Sequence, residues 1–161
     1  MSIEEQVVKA LSEKGYTISC AESCTGGMLT SQLVNVPSAS QILNCSFVTY
    51  SNEAKIKYLG VLESTIQQYG VVSEQVVGEM AKGVAFQSDA DVGIGISGIA
   101  GPTGGTDHKP VGMVCFGFYI NHQVYTYTQH FKNLERNAVR EKSVHYALEK
   151  VLELLTIKNR T

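Results

Sequence analysis

Segments with the helical spacing of apolar residues alternate with strand-like segments along this chain. The order of these segments constrains the fold more than any other feature of the sequence. Apolar residues at helical spacing predict an amphipathic helix over residues 3–14, and Gly15 is a favourable end for it. A β-rich stretch over 16–21 predicts a strand, and the apolar stretch over 28–34 predicts a second helix. A glycine-bearing turn joins the last two elements, so the chain begins as helix, strand, tight turn and helix.

The rest of the chain continues this alternation and then changes to a hairpin. Candidate helix N-caps are Ser51 or Asn52, Ser64 and Ser73, because their side chains can accept from the free N–H groups of a first turn. The predicted elements are a strand over 47–50, a short helix that carries Lys55, a helix from 73 to about 86, a strand over 91–97 that is weakened by its glycines, two strands over 111–120 and 123–131 joined at Asn121-His122, and a last helix over about 135–155.

Interleaved helices and strands followed by a hairpin predict an α/β fold, a three-layer α/β/α sandwich with a mixed central sheet. The length of 161 residues suits one domain, and 43% hydrophobic and 17% charged residues are typical of a globular chain with a core. The sequence contains no obvious linker or repeat, so we expect a single domain over residues 1–161.

Charge and cysteine content argue against several classes of function. The net charge of -2 is too neutral for an electrostatic nucleic-acid binder, and the densest basic group, over 132–142, is mixed in sign. The four cysteines form no C-x-x-C pair and show no zinc-ligand spacing with the histidines, so we expect no metal site. No signal peptide and no bilayer-spanning stretch is visible, which predicts a cytoplasmic protein without a membrane partner.

The segment Glu-Ser-Cys-Thr-Gly-Gly at 22–27 is a candidate nucleophile turn. A sharp strand-to-helix turn would expose the Ser23 hydroxyl, and backbone N–H groups near the helix start could stabilise an oxyanion. An ordinary helix cap explains the same residues. Cys24 is a rival nucleophile, since a thiol near a helix N-terminus can have a lowered pKa, but cysteine is more often a small buried hydrophobe. We therefore favour Ser23.

Lys55 is the candidate base for that serine. A lysine can take a proton from a hydroxyl only if burial or neighbouring cations keep its amine neutral. Its position near the start of a short helix places it where the helix dipole disfavours the ammonium. A solvated helix lysine is the ordinary alternative. Tyr50, at the end of the preceding strand, could donate a hydrogen bond to substrate or lysine, or be a half-buried strand aromatic.

The glycine-rich stretch over 97–112 and the last helix offer binding groups. A long loop with five glycines could hold a ligand, for example a phosphate in a nest of backbone amides, although a flexible connection is the alternative. It matches neither a P-loop nor the dinucleotide fingerprint. Arg140, with Arg136 beside it, could bind a phosphate bidentately or form a solvated helix face with Glu135 and Glu141.

Six segments of the chain carry a resemblance to a known family. They are 21–27, 48–55, 70–73, 96–105, 109–112 and 138–140. In this order and over nearly the whole chain, they resemble the CinA C-terminal domain family (competence/damage-inducible protein), whose stand-alone members include nicotinamide mononucleotide amidohydrolases.

The resemblance implies hydrolysis of the nicotinamide mononucleotide carboxamide to the acid and ammonia, without a metal or cofactor. It implies Ser23 as nucleophile, Lys55 as general base and a supporting catalytic role for Tyr50. The residues that it assigns to substrate binding are Thr25, Gly26, Gly27, Gly98, Gly101, Thr103, Gly104 and Arg140. The implied partner is a small-molecule nucleotide, and a homo-oligomer is expected on family grounds.

The chain departs from the family at one segment. Many members have Phe-Ser-Gly-Asp-Arg before the Val-Arg pair, whereas this chain has Phe-Lys-Asn-Leu-Glu-Arg at 131–136. We expect a rebuilt rim near the phosphate. The N-terminal domain of longer relatives lies outside this sequence, so its activity is expected to be absent. A non-catalytic nucleotide-binding module and an interaction protein for competence or DNA repair stay open as alternatives.

Overall fold

A computed structural model describes residues 1–157 and gives the predicted order of helices and strands, with one further helix over residues 63–69. The helices are α1 (Ile3–Lys14), α2 (Met28–Val34), α3 (Asn52–Leu59), α4 (Glu63–Tyr69), α5 (Glu74–Ser88) and α6 (Arg136–Thr156), with a 3-10 turn at Ala39–Gln41. The strands are β1 (Ile18–Glu22), β2 (Phe47–Val48), β3 (Val92–Gly98), β4 (Met113–Ile120) and β5 (Gln123–His130).

The five strands form one mixed sheet in the order β2-β1-β3-β4-β5. β1 is parallel to both of its neighbours, and β4 and β5 continue the sheet in antiparallel pairs. In the parallel part, Glu22 lies beside Ile96 and Val48. The carboxyl ends of β1 and β3 therefore meet at one edge of the sheet, and the segments that follow them start side by side.

Helices cover both faces of the sheet, which confirms the three-layer prediction. One face buries alternate strand residues such as Ile18, Ile94 and Phe116 against α1, α2 and α6. On the other face, α5 lies directly on the sheet with α3 and α4 packed against it. Apolar burial on both faces of the central strands is the main stabilising term of such an arrangement.

Glycines in β3 and β4 explain how closely α5 approaches the sheet. Gly93, Gly95 and Gly117 all face α5, so the backbone of the helix rests on backbone without side chains between them. A Cβ at Gly93 would overlap the Ala81 carbonyl oxygen, and one at Gly117 would overlap that of Val77. The glycines that weaken the strand pattern over 91–97 are thus part of a tight helix–sheet contact.

The predicted caps differ in outcome. Ser51 and Ser73 cap α3 and α5, accepting from the N–H groups of Ala54 and Val76. The prediction for Ser64 is wrong, because this residue lies inside α4, which begins at Glu63. Its N-cap is Leu62, whose N–H donates 2.8 Å to Glu79 Oε1 on α5. A carboxylate from a neighbouring helix thus replaces a local cap.

Strand β2 is shorter than predicted. The predicted strand over 47–50 is reduced to Phe47–Val48, although the Thr49 N–H still donates 2.9 Å to the Glu22 carbonyl. The carbonyl oxygens of Thr49 and Tyr50 instead accept from Lys55 Nζ. The hairpin is as predicted, with Asn121 and His122 both at positive φ, the conformation typical of a tight two-residue turn.

Alanine substitution at Gly117 and Gly78 tests the glycine contact. We expect Gly117→Ala to cost about 1–3 kcal/mol of unfolding free energy through overpacking, because its Cβ would meet the Val77 backbone. Gly78→Ala, in α5 itself, would meet only side chains, those of Val124 at 3.2 Å and Thr126 at 3.4 Å. It also gains up to about 1 kcal/mol of helix propensity. Urea unfolding followed by circular dichroism measures both, and equal stabilities would contradict the tight contact.

Candidate active site

The turn between β1 and α2 presents Ser23 at the edge where β1 and β3 end. The Ser23 N–H donates 3.1 Å to the Ile96 carbonyl, which extends the β1–β3 pairing by one residue. Gly26 and Gly27 then take φ values of 59° and 100°, which favour glycine, and the Gly26 N–H closes the turn on the Ser23 carbonyl at 3.1 Å. Two consecutive glycines thus let the chain turn sharply behind Ser23.

The side chain of Lys55 reaches Ser23 from α3. Its Nζ lies 2.9 Å from Ser23 Oγ, 2.7 Å from the Thr49 carbonyl oxygen and 3.2 Å from that of Tyr50. Only 1% of Lys55 is exposed. The structure therefore brings the two predicted catalytic residues within hydrogen-bond distance in a site nearly closed to solvent.

Burial lowers the pKa of Lys55 to about 8. Removing an ammonium from water disfavours its charged form, and this loss of solvation is the main cause of the shift. The helix start, which the sequence suggested as the reason, is not the main cause. A measurable fraction of the amine is neutral near physiological pH, which a base for a serine hydroxyl requires.

Cys24 has the opposite character. Burial raises the pKa of its thiol to about 11, although the positive charges of Arg140 and Lys55 lower it slightly. Only 7% of Cys24 is exposed. A protonated, covered thiol is a poor nucleophile, so the electrostatics of this turn favour Ser23 over Cys24.

A cavity of about 290 Å³ opens in front of Ser23 and Lys55. The loop after β3 forms one wall, and the predicted binding residues on that wall are Gly98, Gly101, Thr103 and Gly104. Tyr50 lies at the rim with 63% of its surface exposed. The structure thus brings together the nucleophile turn, the lysine helix and the glycine loop.

Three predicted binding residues at the turn stand apart from this cavity. Thr25, Gly26 and Gly27 are absent from its lining. Thr25 is fully buried, and its hydroxyl donates 2.6 Å to Glu22 Oε1. In this structure they shape the turn rather than form the wall of the cavity.

Arg140 also lies outside the cavity, in contrast to the expected phosphate contact. Its Nε and Nη2 donate to the carbonyl oxygens of Cys24 and Thr25, at 2.9 and 3.1 Å, and its Nη1 donates 3.0 Å to Asn137 Oδ1. All three nitrogens of the guanidinium are thus bonded to protein atoms. Arg140 holds the back of the nucleophile turn.

Arg136 is the arginine that lines the cavity. Its Nη1 donates 2.7 Å to the Gly101 carbonyl, and its Nη2 donates 3.2 Å to the Tyr50 hydroxyl. Sequence reasoning noted Arg136 only as a neighbour of Arg140. The available signal was the altered segment 131–136, in which Asn133 at a φ of 61° turns the chain into α6.

Glu22 is a second residue whose role the sequence did not reveal. It ends β1 directly before Ser23, and its carboxylate is fully buried. Four groups donate to it, the hydroxyls of Thr25 and Thr30 and the N–H groups of Leu29 and Thr30. The signal that could have found it is a glutamate at the end of an otherwise uncharged, buried strand.

A larger open groove of about 610 Å³ lies at the opposite edge of the sheet, around Tyr16, Tyr119 and His122. Its lining contains no serine, cysteine or lysine, so the acyl-transfer chemistry points to the smaller cavity. Within residues 1–157, no cluster of three or more His, Cys, Asp or Glu side chains could hold a metal ion. None of the helices over the same residues has the length and apolar character needed to cross a membrane.

Comparison with known proteins gives consistent matches. The model of the CinA C-terminal domain matches residues 1–155. A CinA-like protein of Kosmotoga olearia is 45% identical over 154 residues, which are 96% of this chain but 37% of that protein. The nicotinamide-nucleotide amidohydrolase PncC of Enterobacter agglomerans is 47% identical over 148 residues, which are 91% of this chain and 90% of that protein.

Solved structures give the same result for the fold. The crystal structure of a competence or damage-inducible protein from Enterobacter asburiae superposes with a TM-score of 0.92 at 36% identity and covers 96% of both chains. The chain thus shares the fold of that protein over nearly its whole length, while it spans little more than a third of the Kosmotoga olearia relative.

Alkylation rates test whether the buried Cys24 thiol is less reactive than the exposed Cys45 thiol. Cys45 is exposed, whereas Cys20, Cys24 and Cys115 are buried. A thiol with a pKa of about 11 is ionised in roughly 3 of 10,000 molecules at about pH 7.5. We expect iodoacetamide to modify Cys45 first and Cys24 far more slowly, as read by peptide mass spectrometry. Cys45→Ala should remove the fast phase, and rapid labelling of Cys24 would contradict this assignment.

Proposed function

The chain belongs to the CinA C-terminal domain family, and we propose that it is an amidohydrolase that converts nicotinamide mononucleotide to nicotinate mononucleotide and ammonia. The observation that carries the proposal is the buried contact of 2.9 Å between Lys55 Nζ and Ser23 Oγ beside an open cavity. The name of the Enterobacter agglomerans relative, which aligns over nearly its full length, supplies the substrate.

The hydrogen-bond partners of Lys55 support its role as base. The Thr49 and Tyr50 carbonyl oxygens can only accept, and the amine donates to them at 2.7 and 3.2 Å, the latter also lying 3.4 Å from the Ser23 hydroxyl. A neutral amine has two N–H groups and one lone pair. With both N–H groups directed to the carbonyls, the lone pair is left for the Ser23 hydroxyl, which is the direction needed to remove its proton.

The proposed reaction is acyl transfer in two steps. Ser23 Oγ attacks the carboxamide carbon while its proton moves to Lys55 Nζ. The tetrahedral intermediate then breaks its C–N bond, and Lys55 returns the proton to the leaving nitrogen, which departs as ammonia. Water attacks the resulting ester with Lys55 again as base, and the acid and free Ser23 are released. No metal or cofactor takes part in this scheme.

The turn offers a donor for the oxyanion. The Cys24 N–H makes no hydrogen bond to another backbone group within residues 1–157, and Cys24 lines the cavity. A backbone donor of this kind is worth about 3 kcal/mol of transition-state stabilisation.

The cavity has groups suited to a nucleotide monophosphate. Its volume of about 290 Å³ is at the small end for ligand sites, which fits a mononucleotide better than a dinucleotide. The N–H groups of Thr103 and Gly104 make no backbone hydrogen bond within residues 1–157. Together with the guanidinium of Arg136 they would bind a phosphate dianion, which takes the place first expected for Arg140.

Substitution of the two proposed catalytic residues tests this function. We expect Ser23→Ala and Lys55→Met each to lower kcat for ammonia release from nicotinamide mononucleotide by at least about 10³-fold. The double variant should be little worse, because the two side chains act as a unit. A coupled assay for ammonia measures the rate, and Cys45→Ala, with an exposed thiol that does not line the cavity, serves as the matched control.

The other outcomes of this assay are informative. Full activity of Ser23→Ala would contradict the mechanism and direct attention to Cys24. Saturable binding of nicotinamide mononucleotide by the wild type without ammonia release would identify the non-catalytic binding module.

The pH profile tests the protonation state of Lys55. The base must be neutral, so kcat/KM should rise with pH, with a slope of one in a logarithmic plot, and level off above about pH 8. The substrate phosphate titrates near pH 6, so the rise should be read above about pH 7, where the slope starts near one and falls as Lys55 loses its proton. A flat profile across this range would contradict a lysine base with a lowered pKa.

A further inference from the structure

Glu22 combines complete burial with a full set of hydrogen bonds. Its Oε1 accepts from Thr25 Oγ1 at 2.6 Å and from the Leu29 N–H at 2.9 Å. Its Oε2 accepts from the Thr30 N–H at 2.9 Å and from Thr30 Oγ1 at 2.7 Å. The carboxylate therefore connects the end of β1, the middle of the nucleophile turn and the first turn of α2.

The glutamate also replaces a missing helix cap. The N-cap of α2 is Gly27, which has no side chain to bind the free N–H groups of the helix. The carboxylate accepts two of them, from Leu29 and Thr30, and its negative charge is favourable at a helix N-terminus. The glycine needed for the sharp turn and the cap needed by the helix are thus supplied by different residues.

We propose that Glu22 is a positioning residue that holds the turn so that Ser23 Oγ meets Lys55, an inference that rests on the proposed function. Glu22 is bonded directly to Ser23 and reaches across the turn to Thr25, so the segment is fixed at both ends. Glu22 does not line the cavity, which separates it from the residues that touch substrate.

Only a carboxylate satisfies this set of partners. The N–H groups of Leu29 and Thr30 point at different oxygens. A glutamine would present an NH₂ group to one of the two N–H donors, and that donor would be left buried without an acceptor. Glu22→Gln therefore keeps the size of the side chain and removes the geometry of the turn.

The test compares four proteins by kcat and KM for ammonia release from nicotinamide mononucleotide, well below their melting temperatures. We expect Glu22→Gln to lower kcat on the order of 10²-fold with KM within about threefold of the wild type. Thr25→Val and Thr30→Val form a matched pair, because each removes one hydroxyl donor to Glu22. Thr25→Val should lower kcat about tenfold, and Thr30→Val, whose bond lies on α2, less than threefold.

A merely structural role predicts a different pattern. The two threonine variants would then lose similar thermal stability and keep the wild-type kcat per folded molecule. That pattern, or an unchanged kcat in a folded Glu22→Gln, overturns the inference. If Glu22→Gln does not fold, the threonine pair decides.

The wild type and Ser23→Ala show separately whether the proposed function itself fails. If the wild type releases no ammonia, or if Ser23→Ala is as active as the wild type, the proposed function is wrong and the inference falls with it. A wild type that depends on Ser23 together with an unaffected Thr25→Val overturns the inference alone.

Discussion

The chemistry proposed for this site depends on one buried amine, Lys55, whose hydrogen-bond partners are neutral groups rather than charged ones. Lys55 Nζ lies between two backbone carbonyl oxygens and the Ser23 hydroxyl, and no carboxylate accepts from it within residues 1–157. A buried ion partner would have held the ammonium and raised its pKa. Carbonyl oxygens accept hydrogen bonds from the amine without a full negative charge, so burial disfavours the charged form of Lys55.

Two charged side chains, Glu22 and Arg140, bind the turn that carries Ser23, each from a different direction. Glu22 binds Thr25 and the start of α2, and Arg140 binds the carbonyl oxygens of Cys24 and Thr25. The buried Glu22 carboxylate accepts four hydrogen bonds, the condition under which a buried charge is tolerated, and the half-buried Arg140 donates three. Because both act on backbone or on buried hydroxyls, they fix the turn without entering the cavity.

The sheet brings these parts together. β1 and β3 are parallel neighbours, so the nucleophile turn and the glycine loop begin at the same edge. The short β2 lies on the other side of β1, and the chain leaves it directly into the carbonyls that bind Lys55. The glycine contact beneath α5 allows that helix to lie close to the sheet, with α3 packed against it. The site thus forms where three chain segments leave adjacent strands.

Local patterns were sufficient to predict five of the six helices of residues 1–157, the strands, the hairpin, the caps at Ser51 and Ser73, and the family. These features depend on residues near one another in sequence or on motifs in a fixed order. Only the tertiary structure decided that Lys55 is buried, that Arg136 rather than Arg140 lines the cavity, and that Glu22 caps α2. Arg140 and Cys24 are 116 positions apart, and Lys55 and Ser23 are 32 apart. Desolvation and hydrogen bonding act over a few ångströms of space, so no sequence pattern fixes which of two neighbouring arginines reaches a distant turn.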